Sequence, residues 1–459
     1  MNKKKKSSFT GSLGFVLAAA GSAVGVGNIW RFPYMVGEYG GGAFVLVYLF
    51  FLIVLGLPII VMEYSVGRAS KKSIAQSFQL LEKKGQKWHW FSYVAMIGNY
   101  LLVMFYTTIS GWMLAYFVKM LKGDFTGLTT VEVGKVFTDL QADPMASIFW
   151  MILVVVIGCL ICVLGLQRGV EKITKVMMGL LLGVMILLVI KSLSLSGAMK
   201  GVEFYLIPDF NALKENGIFN AIYAAMGQAF FTLSVGMGGM AIFGSYIDRD
   251  HSLTGEGLRV LALDTFVAVM AGFIIFPACM SFGVDAGSGP GLVFVTLPNI
   301  FNVMDNGRIW GTLFFVFMNF AALSTIIAVF ENIVSFSIDL LSWSRKKSVI
   351  VNFIIIVIGS IPCAIGFSVL SGFQPFGPGS AVLDLLDFLV SNVIMPFGSL
   401  VFLFFCTKKI GWGWKNFISE ANAGKGMKFP EKTKFYVSWI LPVIVIFIFI
   451  SGLWEKLFM

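Results

Sequence analysis

The chain has 459 residues, of which 58% are hydrophobic, 15% aromatic and only 13% charged. No soluble core of that length buries so much apolar side chain, so the composition excludes an ordinary soluble globular protein. The formal net charge of +10 raises nucleic acid as a partner, but the basic residues gather in alternate loops between apolar stretches, as the positive-inside rule expects of a protein whose partner is the lipid bilayer.

Eleven stretches of spanning length are read at 13–35, 42–66, 92–121, 146–164, 171–193, 218–245, 257–283, 309–341, 348–370, 381–407 and 434–454. Basic runs at 3–6, 68–87, 345–347 and 408–434 then fall on one side, which is assigned to the cytoplasm of a bacterial inner membrane. The amino terminus lies there, and eleven crossings put the carboxyl terminus outside. The first stretch is too long and too polar-flanked to read as a cleaved signal peptide. All five cysteines lie in apolar stretches and read as packing, including the Cys159-x-x-Cys162 pair, because no second pair or histidine accompanies it. His89 and His251 fall in loops and read as solvated.

The first and sixth stretches carry glycines beside polar residues at mid-membrane depth. They read Gly21-Ser22-Ala23-Val24-Gly25-Val26-Gly27-Asn28 and Thr232-Leu233-Ser234-Val235-Gly236-Met237-Gly238-Gly239. A spanning helix keeps its backbone hydrogen bonds internal, so both sites are expected to be unwound. They share Val-Gly-x-Gly and run in opposite directions, which suits two inverted repeats, 13–193 and 218–407, followed by the helix at 434–454. Freed carbonyls coordinate cations and freed amides attract a carboxylate, so paired breaks predict one central site for a cation and an anionic group. The competing use of these glycines is close helix packing.

The run GSAVGVGNIWRFPY, followed by GGGAF and LPIIVMEYSVGR, resembles the neurotransmitter:sodium symporters, bacterial branch, over essentially the whole chain. The resemblance implies an all-α polytopic fold of 11 helices, a 5+5 inverted repeat of the leucine-transporter type, with helices 1 and 6 unwound at mid-membrane. It also implies sodium-coupled symport of a neutral hydrophobic or aromatic L-amino acid by alternating access. A first sodium site would take the carbonyl of Ala23 with Asn28, Thr232 and Asp264; a second would take carbonyls of Gly21, Val24 and Ala321 with hydroxyls of Ser324 and Thr325. Many relatives carry Asn where Asp264 stands and bind chloride nearby. A fixed carboxylate supplies that charge, so chloride is not expected; the carboxylate is also available to take up a proton on the return step.

By the same resemblance, the aspartate that monoamine carriers place in the first break is replaced here by Gly25, so the substrate brings its own carboxylate. That group would meet the amides of Val26 and Gly27 and the Tyr106 hydroxyl, while its ammonium meets carbonyls around Ala23, Phe231 and Ser234. The side-chain pocket would be lined by Ser22, Leu102, Tyr106, Phe231, Met237, Thr325 and Val329, with Gly236 and Gly238 leaving its floor pliable. An outer gate is expected of Arg31 and Asp387, with Gln228 holding the arginine and Tyr106 and Phe231 forming a lid. The inner gate falls to segment 1–12: Lys6, or Lys5, would pair with Asp339, with Phe9 beside it and Tyr246 as a brace. Glu63 would support the unwound backbone of the sixth helix. The fifth helix has Gly179 where some relatives have a proline that permits unwinding. Glu331 receives no role.

A membrane enzyme would need a cluster of His, Cys or paired carboxylates, and ATP hydrolysis a GxxxxGK[ST] loop; neither is present in the sequence. A channel would need a continuous polar pore, against which the aromatic lid argues. Another zwitterion or osmolyte as substrate, a substrate-gated channel and a binding-only sensor remain alternatives. A monomer or weak homodimer is expected.

Overall fold

The computed structural model describes residues 12–215, 217–284 and 291–458. Among them the chain is helical, apart from isolated bridges such as Gly41 with Pro208. Helix α1 (Ser12–Ala23) and helix α2 (Gly27–Glu38) meet at a 57° bend and together make one broken span. Four unbroken spans follow: α3 (Gly42–Ser70), α4 (Trp90–Lys122), α5 (Pro144–Val163) and α6 (Leu166–Leu193). Then α7 (Ile218–Thr232) and α8 (Gly239–Ser245) stand on either side of non-helical residues 233–238. The remaining spans are α9 (Leu253–Ser281), α10 (Gly307–Leu341), α11 (Arg345–Ala364), α12 (Val382–Thr407) and α13 (Glu431–Trp454).

Nine unbroken spans and the bent pair make up to ten among the described residues. The expected eleventh rests on α7 and α8, whose halves individually fall short of spanning length. One boundary differs from the sequence reading: the span expected at 348–370 is helical only from Arg345 to Ala364 and continues as turns. Gly179 lies inside unbroken α6, and the irregular turn of that span is instead Leu166–Glu171.

The interruption between α7 and α8 is written into its glycines. Gly236 has φ +96 and Gly238 φ +71, a region that disfavours any side chain, and a Cβ on Gly236 would lie 2.1 Å from the Met395 carbonyl oxygen. Other glycines serve packing. A Cβ on Gly67 would lie 1.8 Å from Ala241 O and one on Gly244 2.5 Å from Tyr64 O, so α3 and α8 touch backbone to backbone.

Burial separates centre from rim. The most apolar window of α10 is 78% buried and that of α4 72%, against 33% for α6 and 39% for α11 and α13. The rim helices turn residues such as Ile354, Ile358, Val443 and Phe447 outward, an apolar surface suited to lipid rather than water. The first broken span packs against α10 and α9 and the second chiefly against α3, so their bare backbone is enclosed by protein.

Candidate functional site

The first break brings Asn28 to Thr232 at the end of α7 and to Asp264 on α9. Asn28 Nδ2 donates to Asp264 Oδ1 at 2.8 Å and to Thr232 Oγ1 at 3.0 Å, while Thr232 Oγ1 donates to Asp264 Oδ2 at 2.9 Å. Gly25 N donates to Asn28 Oδ1 at 3.0 Å. Asn28, Thr232 and Asp264 are all buried, and no ion pair joins Asp264 to a basic residue among the described residues. A carboxylate buried within a membrane protein without a cationic side chain needs a bound cation or a proton to neutralise it. The oxygens that a hard cation prefers are here the Asp264 carboxylate and the Thr232 hydroxyl; Asn28 turns its amide nitrogen to them and its oxygen to Gly25 N, so an oxygen ligand from Asn28 requires that amide to turn.

A second cluster joins the same break to α10. Thr325 Oγ1 lies 3.4 Å from Gly21 O, 3.3 Å from Val24 O and 3.4 Å from Ala321 O; Ser324 Oγ lies 3.4 Å from Val24 O and 2.9 Å from Ala321 O. Two hydroxyl protons cannot serve all five contacts, and four of them are longer than an ordinary O–H···O bond. Oxygens held at about 2.4 Å from a Ca²⁺-sized ion and at right angles to one another lie about 3.4 Å apart, which is the spacing seen. Four of the five contacts have that spacing; the fifth, Ser324 Oγ to Ala321 O, is shorter.

Between the clusters lies a cavity of about 20 Å³ lined in part by Ala23, Gly25, Gly27, Leu102, Tyr106, Phe231, Ser234 and Thr325. That volume holds about one water, not an amino acid, so a ligand here requires the lining to move. Val26 N donates to Tyr106 Oη at 2.8 Å. A Cβ on Gly25 would lie 2.5 Å from Tyr106 Oη and 2.7 Å from Thr325 Oγ1, which leaves no room for an acidic side chain at that position. Ser22, Met237 and Val329 are buried but do not line this cavity. The Met237 sulfur points toward Gly98, 3.1 Å from where its Cβ would be, while Met395, absent from the expected set, takes part in the lining.

Above the cavity the Arg31 guanidinium stacks on the Phe231 ring, 4.5 Å from its centroid. Arg31 and Asp387 both line an outer cavity of about 240 Å³, yet no ion pair joins them among the described residues. Asp387 instead accepts from Ser391 Oγ at 2.8 Å. Gln228 does not hold the arginine: its Nε2 donates to Gly27 O at 3.1 Å, and Gln228 Oε1 and Arg31 Nη1 are both buried without hydrogen-bond partners. The arginine thus rests on the Phe231 ring while the two outer charges stand apart.

Lys6, Lys5 and Phe9 lie outside the described residues. Among the described residues Asp339 is engaged by Lys72 Nζ at 3.0 Å and by Ser73 N at 2.7 Å. Lys72 is out of reach of sequence reasoning because 267 residues separate it from Asp339. Glu331, given no role from sequence, is wholly buried, is bridged by both terminal nitrogens of Arg345, and accepts from Tyr246 Oη at 3.0 Å. An acid inside an apolar span is itself a signal, but its partner sits at the start of the next helix. Glu63 accepts from Gly236 N at 2.6 Å and from Met240 N at 3.1 Å, so one carboxylate ties the second break to the first turn of α8.

The profile described as the sodium:neurotransmitter symporter family matches residues 6–133 and 130–457. An uncharacterised sodium-dependent transporter of Bacillus subtilis is 34% identical over 98% of both chains. One from Haemophilus influenzae is 32% identical over 98% of this chain and 99% of its own. Among solved structures, MhsT in complex with L-phenylalanine superposes with a TM-score of 0.87 at 36% identity, covering 98% of this chain and 100% of that one. Two broken helices around a buried acid, an all-helical membrane fold and a match along nearly its whole length make this chain a sodium-coupled membrane transporter, one that belongs to the sodium:neurotransmitter symporter family.

Proposed function

We propose that the chain imports neutral hydrophobic or aromatic L-amino acids by alternating access, coupled to sodium at two sites and independent of chloride. One observation carries the reading: a buried carboxylate without a cationic side chain, Asp264, sits beside a pocket whose wall pairs the Val26 amide with the Tyr106 hydroxyl. A cation between Asp264, Asn28 and Thr232 neutralises the acid and leaves positive charge facing the pocket. A substrate carboxylate completes that shell and hydrogen-bonds Tyr106. The absence of space for a side chain at Gly25 favours substrates with their own carboxylate over simple amines.

The apolar lining from Leu102, Phe231 and Met395 suits an apolar side chain once the lid shifts, and MhsT, which resembles this chain, is described with L-phenylalanine. The second oxygen cluster would hold the other sodium. The inner bacterial membrane is the location proposed, with the lysine-rich face in the cytoplasm.

Uptake of labelled L-phenylalanine and L-leucine into proteoliposomes tests this. Uptake should require an inward sodium gradient, fail in potassium and persist in gluconate. Equal uptake in potassium would refute the sodium coupling, and loss of uptake in gluconate would refute chloride independence. Failure of all hydrophobic amino acids, with sodium-dependent uptake of another zwitterion, would refute the substrate class alone.

A further inference from the structure

Where α12 meets α13 on the lysine-rich face, the surface opens into a groove of about 620 Å³, far from the central cavity. Its floor is apolar, from Phe404, Pro442, Val443 and Ile446, and it opens on the membrane-facing side of the rim helix α13, where Val443 is exposed. Its mouth is charged. Lys408 and Lys409 follow directly after α12, and no carboxylate is among the residues that line the groove.

These lysines are not loose surface charges. Lys408 Nζ sits 3.2 Å from the centroid of the Trp439 ring, which keeps the ammonium at the groove mouth. Lys83 Nζ donates to Lys409 O at 2.8 Å and adds a third ammonium to the rim. Trp88 Nε1 donates to Ile410 O at 2.8 Å, so a second indole is fixed at the boundary between apolar floor and charged mouth. Ser438, a residue only 5% exposed, is among the lining residues, and its hydroxyl is buried without a hydrogen-bond partner.

We propose that this groove binds an anionic phospholipid. The apolar floor takes an acyl chain. Lys408 and Lys409 take the phosphodiester. A zwitterionic lipid fills the floor equally well, but its own cationic group opposes three ammoniums with no carboxylate to answer it, so charge complementarity selects the anionic headgroup.

Native mass spectrometry of the full-length protein in detergent, offered equal amounts of dioleoyl phosphatidylglycerol and dioleoyl phosphatidylcholine, tests the assignment. Phosphatidylglycerol should be retained preferentially. Retention should fall about fivefold for each lysine removed in K408Q and K409Q and stay unchanged in K346Q on the same face. Equal retention of the two lipids by the native chain would overturn the proposal. So would a K408Q/K409Q protein that keeps phosphatidylglycerol as well as the native chain does. Displacement of the lipid by millimolar inorganic phosphate would overturn it in favour of a free-anion site, whereas indifference to phosphate supports it.

Discussion

The two oxygen clusters share the broken first span but are built on different terms. Around Asp264 there is a formal charge, and its hydrogen bonds are short, 2.8 and 2.9 Å. Around Thr325 there is no formal charge, and its contacts to three carbonyls run from 3.3 to 3.4 Å. The first cluster must be neutralised by something, whatever the positions of the helices. On the proposed reading the second attracts an ion only while the first broken span and α10 hold their carbonyls and hydroxyls in register, so its affinity would report the distance between them. Charge secures one site and geometry the other.

The sharpest way to break this contrast is Asp264→Asn. It removes the charge and keeps the shape, and the sodium concentration for half-maximal uptake in gluconate should rise between about tenfold and a hundredfold, from about 1.5–3 kcal/mol for an interaction with a charged group. Part of the loss should return when chloride replaces gluconate, because an anion can supply the missing charge. Unchanged sodium dependence would mean that Asp264 is neutral in the working protein and the contrast is false.

Thr325→Val comes next. It removes the one hydroxyl that faces three carbonyls while keeping volume, and the same sodium titration should shift about fivefold, from about 1 kcal/mol for a neutral polar contact. Thr325 also lines the central cavity, so L-phenylalanine affinity is measured at saturating sodium to separate the two effects. A Thr325→Val shift larger than that of Asp264→Asn would reverse the ranking of charge over geometry.

How much of this was legible beforehand follows from what each residue depends on. The breaks were readable because glycines beside polar residues inside an apolar run conflict with a continuous helix, and the structure interrupts both spans there. Both oxygen sets were readable only through the resemblance, since nothing in the spacing of Asn28, Thr232 and Asp264 shows that three helices meet. The partners of Asp339 and Glu331 were not readable at all. Lys72 and Arg345 reach those acids through helix packing, and a lysine or arginine at a span end looks the same whether it pairs inward or faces water. Met395 and Met237 differ for a similar reason: two flexible side chains lie near one cavity, and local packing decides which turns into it.

The smallest expected effect, and the finest test of the contrast, is Ser324→Ala. Ser324 faces the same cluster as Thr325, and counting ligands would give the two hydroxyls equal weight. Their geometry does not. Ser324 Oγ already donates to Ala321 O at 2.9 Å, a normal bond within its own helix, and reaches Val24 O only at 3.4 Å. Thr325 comes no closer than 3.3 Å to any of its three carbonyls, so its oxygen has more to gain from an ion. Removing the serine hydroxyl forfeits a local bond that a helix readily does without, and the sodium titration should move by under about twofold. If Ser324→Ala instead matches Thr325→Val, the second cluster is a cooperative shell in which every oxygen counts, and the spacing of its contacts no longer ranks them.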